Sequence, residues 1–144
     1  MADCIFCMIS QGKVPCHKVY EDEKCFAFLD IAPVSRGHVL VIPKEHAAKM
    51  HELSDESCPA LMLAVKKVSK AVQEAFSCDF NILNNNGKMA GQAVHHVHFH
   101  VIPRRGIKEE FSFNWVPRKQ QGDDDAEEIL ERIKERIIGS ANKQ

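Results

Sequence analysis

The chain has little that would carry it into a membrane or onto a nucleic acid. No apolar run approaches the roughly 20 residues needed to cross a bilayer, so no membrane partner is expected. Nineteen Lys and Arg stand against 20 Asp and Glu, a formal net charge of −1. Such a balance creates no field that would gather DNA or RNA, and no nucleic-acid partner is expected. Internal repeats and low-complexity linkers are absent, which argues against tandem modules. The opening Met-Ala-Asp-Cys-Ile-Phe-Cys lacks the basic region and apolar stretch of a signal peptide. A reduced, cytoplasmic setting is the expectation.

What is present suits one domain. The 144 residues are 44% hydrophobic and 27% charged, ordinary for a globular protein with a single core. We read one domain over 1–144, its core spanning about residues 3–138. Six cysteines could suggest a disulfide framework, but a chain with enough apolar residues for a core does not need one. Cys16, Cys25, Cys58 and Cys78 read as small buried or half-buried hydrophobes. Only Cys4 and Cys7 have an informative spacing.

Periodicity outlines the fold. Residues 4–11 suit a short helix ending at Gly12. Val19–Asp22 and Cys25–Asp30 read as a hairpin around a charged turn, and His38–Pro43 as a strand closed by proline. Apolar residues at 58, 61, 65, 68, 72 and 76 predict one long amphipathic helix capped by Ser54 or Ser57. Pro59 is tolerable in its first turn. Phe80–Asn84 is the next strand, followed by a turn-rich loop and a strand around residues 94–102. Ile129, Leu130, Ile133 and Ile137 predict a C-terminal helix stopping at Gly139. The acidic run at 123–125 suits its N-terminal end. The class is α+β, with a mostly antiparallel five-stranded sheet, one long helix and a C-terminal helix.

The chemistry concentrates in one segment. His95, His96, His98 and His100 fall within six positions. Alternation with Val97, Phe99 and Val101 puts His96, His98 and His100 on one strand face. An imidazole can be nucleophile, proton carrier or metal ligand. Same-face neighbours on a strand lie about 6.6 Å apart and the outer pair about 13 Å. With metal–imidazole bonds of about 2 Å, three such histidines do not make one metal site. The face must be divided.

Cys4-x-x-Cys7 could claim part of it, as half of a tetrahedral zinc site. A redox role is its rival, but no thioredoxin-like strand precedes Cys4. Candidate partners are His17, His38, His46, His51 and the clustered histidines. A catalytic His96-x-His98 zinc chelate is a further possibility. The glycine- and amide-rich loop from Asn85 to Gln92 could direct backbone N–H groups at an anion and deliver it to His98.

The run His96-Val97-His98-Phe99-His100-Val101-Ile102 resembles the signature of the histidine triad family of nucleotide hydrolases and transferases. Phe28–Ile31, Gly37–Lys44, Asn84–Gly87 and Gly91-Gln92 extend the resemblance, from about Cys4 to Arg104. It is greatest to the nucleoside phosphoramidase branch and its zinc-bearing bacterial-type relatives. The resemblance implies a histidine triad fold whose sheet extends across a homodimer. It implies a purine nucleotide conjugate of AMP or GMP as substrate, either a phosphoramidate or a dinucleoside polyphosphate. His98 would be the nucleophile at the α-phosphorus, with His100 and His38 binding phosphate oxygens.

By the same resemblance Asp30 would accept the ribose hydroxyls. Ile5, Phe6, Ile9, Phe28 and Ile31 would wall the purine, and Asn85, Gly91, Gln92 and Ala93 would line the phosphate path. Cys4, Cys7, His46 and His96 would hold a structural Zn²⁺, and His95 would have no role. Ala93 stands where the phosphoramidase branch commonly has serine. The tail Phe111–Pro117 only loosely resembles that branch's tryptophan-bearing end. A nucleotide-binding interaction protein with weak or vestigial hydrolysis is the alternative reading.

Overall fold

The computed structural model describes residues 4–106, 111–112 and 123–141. The chain divides into two units, residues 1–112 and 113–144. The first holds α1 (Ile5–Ser10), β1 (Lys18–Glu21), β2 (Cys25–Leu29), β3 (Val39–Pro43), α2 (Ser57–Phe76), β4 (Asp79–Leu83) and β5 (Phe99–Arg104). The strands form one sheet in the order β1-β2-β3-β5-β4. Every pairing is antiparallel, as the α+β reading expects.

Both faces of the sheet are covered, which explains why β2 and β3 are nearly continuous apolar runs rather than alternating ones. One face packs on α2. Cys25, Ala27, Val39, Val41, Val97, Phe99 and Val101 meet Leu61, Ala64, Val65, Val68 and Val72 there. All six apolar helix positions expected from the periodicity join this core, Cys58 and Phe76 at its margin. The N-cap position is Glu56, whose side chain makes no cap, in place of the expected Ser54 or Ser57; the Ser54 hydroxyl instead accepts the Ser57 N–H at 3.1 Å from the turn before the helix. Truncating a fully buried side chain such as Leu61 should cost about 2–5 kcal/mol.

The opposite face carries Phe26, Phe28, Leu40 and Ile42, covered by Phe6 and Ile9 of α1. α1 ends at Ser10 with Gln11 as its C-cap, and Gly12 follows with φ +73°, a left-handed turn that glycine adopts without strain. This second face positions the site. Leu40 pairs with His100 across β3 and β5, so His100 stands on the α1 side. His38, two residues before Leu40, shares it.

One expectation needs correction. The paired part of the histidine strand begins at Phe99, not near Val94. β3 ends at Pro43, and before Phe99 the backbone finds other partners: the Val97 N–H donates to the Ala47 carbonyl at 2.8 Å. The alternation survives without the ladder, since Val97, Phe99 and Val101 all point to the α2 core.

The second unit contains α3 (Asp123–Ala141). It begins at the acidic run as expected but continues past Gly139, where a stop was expected. A glycine inside a helix costs only about 1 kcal/mol, and helical backbone there needs no break. Residues 113–117 of the tail, Trp115 among them, lie outside the described residues. None of the helices described is long and apolar enough to cross a membrane.

Candidate active site

Two clusters of titratable side chains occupy the α1 face, and the histidine run divides between them. In the first, ligand atoms of Cys4, Cys7, His46 and His96 all lie within 4.8 Å of one another. His96 Nδ1 is 3.4 Å from Cys4 Sγ, 3.5 Å from Cys7 Sγ and 3.3 Å from His46 Nδ1. Cys7 Sγ is 3.4 Å from His46 Nδ1. A tetrahedral ion with zinc-like bonds to sulfur and nitrogen would hold its ligands about 3.3–3.8 Å apart. The four residues can therefore hold such an ion with little adjustment.

Second contacts favour the same use. His96 is fully buried, and its Nε2–H donates to the Pro43 carbonyl at 2.9 Å. That bond leaves Nδ1 with a lone pair for the cluster. Burial, then hydrogen bonding and charge from Cys4, raise the Cys7 thiol above its usual pKa, and a bound cation would reverse that by stabilising the thiolate. Cys25, buried in the other core, is pushed up to about 11 mainly by burial, which fits an inert hydrophobe. All six cysteines are free of disulfides.

The second cluster joins Asp30, His38 and His100. His38 Nε2 lies 2.9 Å from His100 Nδ1 and 3.6 Å from Asp30 Oδ2. Its Nδ1 accepts the Val34 N–H at 3.2 Å. That acceptor role places the imidazole proton on Nε2, from which it is donated to His100 Nδ1. A metal at His38 Nε2 would have to displace that proton. The hydrogen bonds that suit His96 to a metal thus disfavour one here.

With Nδ1 accepting, a neutral His100 carries its proton on Nε2, as a donor. Burial, then the neighbouring His98 and His38, lower the His100 pKa to about 4. His38 is lowered too, by burial, with Asp30 opposing. Both are neutral at pH 7.

His98 stands between the clusters. Its ring lies 5.0 Å from that of His100 and 5.2 Å from that of Phe6, whose edge also meets His96. Its Nδ1–H donates to the His96 carbonyl at 2.6 Å. Nε2 consequently bears an unshared pair, the state required of a nitrogen nucleophile. His95 is exposed and takes no part in either cluster.

The surrounding residues sort by exposure. Phe6, Ile9 and Phe28 are buried beneath the site, whereas Ile31 is 97% exposed and Ile5 39%. An apolar floor with two accessible aliphatic side chains suits a flat ring. Asp30 is half-buried at the start of the loop to His38. In the amide-rich loop, the Gly87 N–H donates to Gln92 Oε1 at 2.7 Å, and Gln92 Nε2 donates to the Ala48 carbonyl at 2.6 Å. Ala90, Gly91 and Gln92 donate their amides to the carbonyls of Gly87 and Lys88. These N–H groups hold the loop's own shape. Ala93 is exposed and Asn85 half-buried beside it, with Asn85 donating weakly to the Gly91 carbonyl at 3.4 Å.

Sequence reasoning missed three participants. Asn84 Nδ2 donates to the His98 carbonyl at 2.9 Å, bracing the central histidine. The Val34 amide and the Pro43 carbonyl set ring protonation at His38 and His96. Asn84 lay inside a segment already singled out and could have been found there. Main-chain groups leave no residue-type signal.

Comparison with known proteins agrees with this geometry. The model of the HIT domain matches residues 11–107. Adenosine 5'-monophosphoramidase hnt1 of Schizosaccharomyces pombe is 54% identical over 112 residues, 78% of this chain and 82% of that one. A HIT-family crystal structure from Bacillus subtilis is similar with a TM-score of 0.89 and 43% identity, covering 93% of this chain and 96% of the other. A zinc-bound histidine triad protein from Mycobacterium smegmatis gives a TM-score of 0.71 at 38% identity, covering 82% and 86%. An antiparallel sheet with paired histidine clusters on one face defines the class. The chain belongs to the histidine triad (HIT) family.

Proposed function

We propose that this chain is a nucleotide hydrolase that cleaves at the α-phosphate of a purine nucleotide conjugate through a nucleotidyl intermediate on His98. The observation that carries the reading is the hydrogen bond from His98 Nδ1 to the His96 carbonyl, which leaves Nε2 free to attack. As the Nε2–phosphorus bond forms, the bond from phosphorus to the leaving amine or phosphate breaks. The leaving group departs with the electron pair and takes a proton from solvent. Water then breaks the phosphorus–Nε2 bond, releasing the nucleoside monophosphate and restoring the imidazole. The protonated Nε2 of His100, held by His38, would offset charge growing on the phosphate oxygens. The phosphoramidase name of the fission-yeast relative supports a phosphoramidate, and a dinucleoside polyphosphate suits the same step.

In this reading Asp30 receives the ribose hydroxyls, and Phe6, Ile9, Phe28 and Ile31 wall the base. Asn85, Gly91, Gln92 and Ala93 border the phosphate path, with Gln92 acting by holding the loop. Cys4, Cys7, His46 and His96 are assigned to a structural zinc ion, supported by their spacing and by the zinc-bound relative. Such an ion fixes the position of α1 and His96, since four protein ligands leave no place for a reactive water. A single domain, a homodimer and a cytoplasmic setting belong to the same reading.

The test is turnover of an AMP–amine conjugate, followed by acid-free mass analysis of the protein. Wild type should release AMP and show an AMP adduct that His98→Ala lacks. Equal turnover by His98→Ala would overturn the mechanism. A second reading, a nucleotide-binding interaction protein with vestigial hydrolysis, is favoured only by Ala93, which removes a hydroxyl beside the phosphate path. It expects tight mononucleotide binding with negligible turnover across a panel of conjugates.

A further inference from the structure

The loop between Asp30 and His38 is tied down from outside the site. The Ser35 hydroxyl donates to the Pro103 carbonyl at 2.7 Å. Arg105 donates to the Arg36 carbonyl at 2.7 Å and to Ser35 Oγ at 3.4 Å. The Arg105 guanidinium also lies 4.6 Å from the centre of the Phe76 ring, within cation–π range. On another side of that ring sits Gly37, with φ +89°, where a Cβ would overlap Phe76. Only glycine lets the loop press so closely on the helix end.

This loop carries more than the base wall. Ser35 contributes its carbonyl to the His38 N–H at 3.0 Å. Val34, beside it, supplies the amide that His38 Nδ1 accepts. The order of contacts is therefore continuous: Arg105 and Ser35 hold the loop, the loop holds the Val34 amide, and that amide selects the His38 tautomer. His38 in turn selects the tautomer of His100.

We propose that Arg105 and Ser35 are positioning residues, forming a latch that fixes the proton arrangement of the His38–His100 pair without touching substrate. If the loop shifts, His38 gains access to the alternative tautomer, protonated on Nδ1, in which Nε2 can no longer donate to His100. The inference rests on the proposed hydrolase reading for its catalytic consequence, but the tautomer can be observed without turnover.

The experiment compares wild type with Arg105→Ala, Ser35→Ala and Ser35→Thr by nitrogen-15 NMR of the histidine rings near pH 7.5, alongside steady-state kinetics on the AMP–amine conjugate. Wild type should show His38 protonated on Nε2 alone. Both alanine variants should show a mixture of tautomers and a kcat lower by roughly tenfold, the scale of one lost hydrogen bond. Ser35→Thr keeps the hydroxyl and should restore both readouts. The double alanine variant should lose little beyond the worse single one, since both residues hold one loop. A lower melting temperature with an unchanged His38 signal and unchanged kcat would overturn the latch. Absence of turnover in wild type would overturn the hydrolase reading instead, and the nitrogen signals would still decide the latch.

Discussion

His98 and His96 are joined by a 2.6 Å hydrogen bond from the Nδ1 of one to the main-chain oxygen of the other. A carbonyl can only accept, so the proton on His98 is confined to Nδ1 and the reactive pair to Nε2. The residue that offers its side chain to the cysteine cluster thus offers its backbone to the proposed nucleophile.

Removing the proposed nucleophile should be decisive. His98→Ala is expected to lower kcat on an AMP–amine conjugate by roughly 10³–10⁶, the range seen when a covalent nucleophile is lost. Mononucleotide affinity should change far less, because the proposed base floor of Phe6, Ile9 and Phe28 is held mainly by Phe26, Leu40 and Ile42, with only the Phe6 edge meeting His98. Titration calorimetry with AMP on the variant checks the second half.

Acid should weaken the fold through the His38–His100 pair. His100 is lowered to about 4 and His38 is lowered in the same direction, against an ordinary histidine value near 6.5. Between those limits the unfolded chain binds protons that the folded chain refuses. Stability from this source is full above about pH 6.5 and declines as pH falls towards 4. His100→Asn should flatten the pH dependence of the denaturation midpoint across that window. An unchanged slope would remove His100 as its source.

Much of the site was legible in the residues because it is built on period two. His96, His98 and His100 alternate with Val97, Phe99 and Val101, and that alternation holds even where Val97 leaves the strand ladder for the Ala47 carbonyl. β2 and β3 were visible instead as continuous apolar runs, and the α2 stripe from Cys58 to Phe76 by its three- to four-residue period. What was not legible is the sorting of protons. Main-chain groups at Val34, Pro43 and His96 decide which ring nitrogen is free, and their positions depend on how distant segments fold together. The start of β5 was misplaced because its pairing stops at Val41 of β3 and at Leu83 of β4, a fact about the neighbouring strands.

Metal content separates scaffold from chemistry. One zinc per chain is expected by elemental analysis, lost in Cys7→Ser and His46→Ala. Chelation should lower the melting temperature by roughly 10 °C, in line with a ligand-linked loss of a few kcal/mol. Both variants should match the chelated wild type and respond no further to chelator. Because the four donors would surround the proposed ion, adding excess zinc to intact protein should not raise kcat. A rise would point to an open, catalytic position instead.

Ala93 offers a test of substrate preference. It is exposed and follows Gln92, whose amide ties the loop to Ala48 and Gly87. Ala93→Ser adds a hydroxyl beside the proposed phosphate path without disturbing that anchoring. A hydroxyl there can donate to a phosphate oxygen or to a leaving nitrogen. It should therefore raise kcat/KM for the AMP–amine conjugate by about three- to tenfold, the worth of one net hydrogen bond. Turnover of a dinucleoside polyphosphate, whose leaving phosphate needs less help, should rise less. The measurement is the ratio of the two kcat/KM values before and after substitution. A ratio that stays constant would place residue 93 outside the path of the leaving group.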